Sequence, residues 1–204
     1  MNKTQRILRT RTLLPLLLLA VVLVPVSAQA HFGVNHSVGF MHGFAHPFSG
    51  LDHLAAMVAV GLWATQLGRR AIWAVPLTFV AAMILGGVMG ATGLPIPFVE
   101  QGIAYSVLVL GVLIATAMRL PAKQSTALVG LFALLHGYAH GAEMPSSASG
   151  LTYGLGFVVA TALLNLNGVG IGLFCQQSLQ KNLRLTQFVA GISFASLGVY
   201  LCLT

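Results

Sequence analysis

Acidic residues are almost missing from this chain. Asp52, Glu100 and Glu143 are the only three in 204 residues, and 6% of positions carry any charge, where a soluble domain carries about 25%. So little charge cannot coat a solvated surface. With 57% hydrophobic residues, the composition predicts an integral membrane protein of the all-α class. Cysteine is scarce too. Cys175 and Cys202 both fall in apolar stretches, which excludes a disulfide scaffold and a thiolate-rich metal site; both read as helix-packing residues. No Walker A sequence is present, which excludes nucleotide hydrolysis as an energy source, and there is no His-Glu-x-x-His sequence of a zinc protease.

What charge there is lies unevenly. Lys3, Arg6, Arg9 and Arg11 precede an apolar run over 13–26 that ends in Ala28-Gln29-Ala30. A basic start, an apolar middle and a small-x-small end describe a secretory signal peptide, and Pro15 and Pro25 favour it over an uncleaved first transmembrane helix. Residues 1–30 are thus expected to be removed, leaving 31–204 as one membrane domain that begins at His31. Without those four basic residues the formal charge of +7 falls to +3, and no basic patch for nucleic acid remains.

Six apolar stretches follow, at 50–67, 71–90, 98–118, 125–140, 150–175 and 186–203. Each is near the ~20 residues that cross the hydrocarbon core as a helix. Gly- or Pro-containing breaks separate the first five and the polar Gln180-Lys181-Asn182 precedes the sixth, and lone glycines such as Gly86, Gly87 and Gly90 allow close helix approach. The expectation is a polytopic protein of six transmembrane helices in contact with membrane lipid. The remaining basic residues, Arg69, Arg70, Arg119, Lys123, Lys181 and Arg184, occupy the first, third and fifth connections. By the positive-inside rule those connections are cytoplasmic, and the mature N-terminus, the 93–100 and 141–149 loops and the C-terminus face the periplasm. Cys175 and Cys202 then lie near opposite faces, too far apart to bridge. Trp63 and Trp73 read as interfacial anchors.

This topology brings the ionisable residues together. His46, Asp52 and His53 fall at the outer start of the first span, His136, His140 and Glu143 at the outer end of the fourth, and Glu100 at the outer start of the third. Ionisable residues in membrane segments mark a pathway or a site, and imidazole with carboxylate is a ligand set for a divalent transition metal. At about 100° per residue, His136, His140 and Glu143 share one helical stripe. Pro47 biases His46 away from helical geometry, which leaves Asp52 and His53 as the firmer contributors from the first span. His31, whose α-amine and imidazole could chelate together, Glu100 and His42 are further candidates. His36 lies with His42 on an outer segment. Asn165 and Asn167, polar and mid-span, fit a permeation path or helix packing equally well.

The stretch His46-Pro-Phe-Ser-Gly-Leu-Asp-His-Leu-Ala-Ala-Met-Val-Ala-Val-Gly-Leu-Trp63 closely resembles the signature of the HupE/UreJ family. Ala30-His31, Val99-Glu100-Gln-Gly-Ile-Ala-Tyr-Ser106 and His136-Gly-Tyr-Ala-His-Gly-Ala-Glu143 extend the resemblance along the chain. It implies a small bacterial inner-membrane permease for nickel, in some cases cobalt, that supplies hydrogenase or urease maturation. It also implies His46, Asp52, His53, His136, His140 and Glu143 as the metal-handling residues. The metal would be cargo, with no tightly bound cofactor, nickel-enzyme maturation proteins as partners, and no enzymatic reaction. Asn165 departs from the pattern, since many members carry a histidine in the fifth span, and a different affinity or metal preference is expected from it. The competing readings are a membrane-embedded zinc hydrolase, with Ser49 or Ser106 assisting, and a metal-binding accessory protein that does not transport.

Overall fold

The computed structural model describes residues 37–144 and 149–204; the expected signal peptide, His31 and His36 lie outside them. The described chain is helical throughout, and no strand occurs among the described residues. A short helix α1 (Ser37–Ala45) runs into a 3-10 turn at His46–Phe48. Six longer helices follow: α2 (Leu51–Leu67), α3 (Ala71–Ala91), α4 (Val99–Thr116), α5 (Ala122–Ala142), α6 (Gly150–Ser178) and α7 (Leu183–Leu203). The six coincide with the six apolar stretches to within a few residues at each end.

Four of them, α3, α4, α6 and the stretch Gln180–Leu203 containing α7, are long and apolar enough to cross a membrane. A fifth results if Gly39–Phe48 and α2, bent by 79° at their junction, count as one broken span. Two of the six expected spans therefore fall short as single helices, each for a physical reason. α2 has 17 residues, slightly less than the ~20 that a full crossing needs. α5 has 21, but Lys123, Gln124, His136 and His140 dilute its apolar character.

Glycine sets how these helices meet. A Cβ on Gly86 or Gly90 of α3 would lie 2.1 Å from the carbonyl oxygens of Leu134 and Tyr138 on α5. Reciprocally, one on Gly137 or Gly141 of α5 would lie 2.0 Å and 2.1 Å from those of Met83 and Gly87. The two backbones touch along a seam where any side chain would separate them. The residue numbers rise together along that seam, so α3 and α5 are parallel. α4 and α7 meet the same way but antiparallel, through Gly111, Gly191 and Gly198 against Ala195, Ala115 and Leu108. α2 and α6 meet at Gly61 and Gly168, and α1 leans on the start of α6 through Gly43 and Gly156. These directions are those of a chain that reverses at every connection.

The core is aliphatic and aromatic, with Met57, Val60, Trp63, Phe79, Met83, Leu110, Ile114 and Val129 nearly or wholly buried. Trp63 corrects the expectation of an interfacial anchor. It is 0% exposed, and its indole N–H donates to the Met118 carbonyl at 3.1 Å, just past the left-handed Ala117 that ends α4. α2 is buried on every side from Ala55 to Gln66, so the polar edge of Trp63 satisfies a helix end instead of a lipid headgroup. Trp73, on α3, is exposed, as expected of an anchor. Both cysteines are free thiols.

Candidate metal-handling site

Gly50 is extended and starts α2, which places Asp52 in its first turn, where a carboxylate is favoured by the helix dipole. Asp52 Oδ1 accepts from the His53 backbone N–H at 2.8 Å and from His53 Nδ1 at 2.7 Å. A carboxylate can only accept, so Nδ1 carries the ring proton and Nε2 presents a lone pair. On α5, His136 Nδ1 donates to the Phe132 carbonyl one turn earlier at 2.8 Å. That bond likewise leaves Nε2 of His136 as the bare nitrogen. A partner at one ring nitrogen fixing the tautomer of the other is how metal-binding histidines are oriented.

The histidines pack against one another at the joined ends of α2 and α5. Ring centroids lie 5.2 Å apart for His53 and His136, 4.2 Å for His53 and His140, and 4.6 Å for His46 and His140. His136 and His140 are 0% and 2% exposed. Nε2 of His53, Nε2 of His136 and both nitrogens of His140 are buried with no hydrogen-bond partner. Leaving a buried polar atom unpaired costs about 1–3 kcal/mol, so four at one spot is a large local penalty. As the rings stand, edge to face, no group of three or more His, Cys, Asp or Glu side chains among the described residues is arranged to hold a metal ion.

His46 differs from the sequence expectation. Proline is tolerated at the start of a helical turn because no N–H is needed there, and Pro47 opens the 3-10 turn instead of displacing His46. His46 therefore points into the cluster, and its Nε2 donates to Glu143 Oε2 at 3.2 Å. α5 runs through Gly141 to Ala142, with Glu143 as its C-cap residue, so the shared stripe of His136, His140 and Glu143 exists. Glu100 sits in the first turn of α4, exposed. His42, also exposed, does not pack against the cluster. Neither joins the other six.

Two aromatic residues of α6 complete the walls without having been singled out. Phe157 stacks on His140 with centroids 3.9 Å apart, and Tyr153 lies 6.0 Å from His46. Their four-residue spacing was the available signal. Tyr138, inside the second motif, faces the other way. Its hydroxyl donates to the Leu94 carbonyl and accepts from the Ile96 N–H at 3.1 Å, pinning the 93–98 loop to α5.

An all-helical bundle with several helices long and apolar enough to cross a membrane, and a buried imidazole cluster at one end, is the architecture of a multi-pass membrane protein. The chain belongs to the HupE/UreJ family: the family described as HupE / UreJ protein matches residues 19–201. The protein named HupE from Rhizobium leguminosarum bv. viciae is 45% identical over 153 residues, 75% of this chain and 80% of that protein. No solved structure matches.

Proposed function

We propose that this protein is a permease that takes a divalent transition metal, nickel with cobalt second, from the periplasm into the cytoplasm. The observation that carries the reading is the set of unpartnered imidazole nitrogens, two of them with tautomers fixed by Asp52 and the Phe132 carbonyl. Imidazole suits nickel, cobalt, zinc and copper alike, and the preference for nickel rests on the family. His53, His136 and His140 supply nitrogen ligands, with Asp52 orienting His53. His46 and Glu143 form the outer rim, where they meet the ion first. The rings already touch, and gathering them on one ion calls for rotation out of their edge-to-face packing.

The orientation rests on the basic connections, which put the cluster at the periplasmic end. In this reading the bent α1–α2 pair and α5 count among six crossings in the inner membrane, the signal peptide is removed, and both mature termini are periplasmic. The ion is cargo, destined for maturation proteins of a nickel enzyme. A hydrolase reading has little to draw on: the Ser49 hydroxyl donates to the His46 carbonyl and the Ser106 hydroxyl to the Ile103 carbonyl, so neither is activated by a histidine.

The test is uptake of Ni²⁺, Co²⁺ and Zn²⁺ into proteoliposomes holding the purified protein. Saturable accumulation with Ni²⁺ preferred supports the permease. Metal binding without accumulation would leave an accessory metal-binding protein instead.

A further inference from the structure

Beneath the imidazole cluster, α6 carries a second set of polar groups buried among apolar ones. From Phe157, which stacks on His140, the stripe continues at four-residue spacing through Thr161 and Asn165, both 0% exposed. At 1.5 Å per residue, Asn165 lies about 12 Å along the helix from Phe157. Thr161 Oγ1 donates to Met83 Sδ at 3.4 Å, which leaves its oxygen lone pairs unengaged. Neither Oδ1 nor Nδ2 of Asn165 has a partner. Across the interface on α2, Gln66 is 5% exposed; its Nε2 donates to the Ile114 carbonyl at 3.4 Å, and its Oε1 has no partner. Gln66 also lines a cleft of about 150 Å³ with Thr65, Cys175 and Gln187, toward the end of the bundle away from the histidines.

A buried amide kept for packing is hydrogen-bonded in nearly every protein, and one in a membrane helix bonds to a neighbouring helix. Asn165 does neither, although α2 is in reach: a Cβ on Gly61 would lie 2.0 Å from the Asn165 carbonyl. The contact that shuts the bundle at this level thus encloses an amide with its capacity unused. All three acidic residues of the chain lie elsewhere, so the donors here are neutral oxygens. Such donors suit a cation that must be accepted and then released, because conduction requires binding that is favourable but weak.

We propose that Thr161, Asn165 and Gln66 form the inner half of the ion path. Asn165 Oδ1 serves as the mid-membrane oxygen ligand that receives the divalent cation from the imidazole cluster and passes it toward the Gln66 cleft. The proposal rests on reading the histidine cluster as the outer site, and it requires α2 and α6 to part for each ion.

The near-isosteric Asn165→Leu variant, purified and reconstituted, tests it. The thermal midpoint should be unchanged or higher, and equilibrium Ni²⁺ binding to the outer cluster should stay within threefold. The maximal uptake rate should fall at least tenfold with little change in half-saturating concentration. Asn165→Ser, which keeps an oxygen donor, should restore at least a third of the wild-type rate, and Thr161→Val should lower it about threefold. Wild-type uptake by Asn165→Leu overturns the proposal, and so does parallel loss of binding and uptake, which would make Asn165 a packing residue. Should Asn165→Leu not fold, wild-type rates in both Asn165→Ser and Thr161→Val overturn it equally. Failure of the wild-type protein to bind Ni²⁺ would instead remove the outer site itself.

Discussion

The α3–α5 and α4–α7 seams are built by the same device and serve different ends. In both, glycines bring two backbones into contact where even one methyl group would meet main-chain atoms at 2.0–2.3 Å. On α5 each seam glycine, Gly137 and Gly141, directly follows a histidine, so locking the glycine against α3 fixes His136 and His140 about 100° around the same helix. On α7 the residues that Gly191 and Gly198 directly follow are Ala190 and Leu197, apolar side chains packed against the core. One seam therefore orients the clustered histidines and the other only holds the bundle. Under the proposed function, packing precision on α5 is part of the chemistry, because a site works only if its supporting shell fixes it to within a fraction of an ångström.

That contrast breaks most sharply at the glycines. Gly137→Ala puts a Cβ 2.0 Å from the Met83 carbonyl, forces α5 off α3, and should abolish Ni²⁺ binding and uptake. Gly111→Ala meets the Ala195 amide at 2.3 Å and should lower the thermal midpoint by several degrees. Its folded fraction should still bind Ni²⁺ within threefold of wild type, as isothermal titration would show. Equal affinity losses in the two variants would end the distinction.

Inside the cluster, Asp52→Asn should weaken Ni²⁺ binding about 10–100-fold, the usual cost of losing the partner that orients a ligating histidine. Affinity measured by competition against a chelator checks this, and an unchanged value would mean that Asp52 merely caps α2. The smallest effect belongs to His42→Ala, an exposed residue that does not pack on the cluster, with uptake within twofold of wild type.

Much of this was legible in the sequence. The six long helices follow the apolar runs because Gly, Pro or clustered polar residues punctuate them and lipid allows little else. The gathering of His46, Asp52, His53, His136, His140 and Glu143 was legible because acidic and histidine side chains are so rare here that two motifs hold six of the ten. The burial of Trp63 was not, because α2 is buried on every side from Ala55 to Gln66, and a helix apolar all round reads the same in sequence whether lipid or neighbouring helices surround it. His46 was misjudged because Pro47 was read as breaking helical geometry, whereas a 3-10 turn accepts proline at its start and carries His46 inward. Thr161 and Gln66 escaped notice because a single hydroxyl or amide in an apolar run says nothing by itself; only their burial beside Asn165 aligns them.

The central claim is that α2 and α5 contribute to one metal site. It is tested most directly by Ni²⁺ binding to purified wild type, His53→Ala, His140→Ala and the double variant, with folding verified for each. If the rings act as one unit, each single variant loses most of the affinity, at least thirtyfold, and the double loses little more, the non-additivity expected of groups in contact. Independent losses that add in the double variant, or wild-type affinity in both singles, would contradict it.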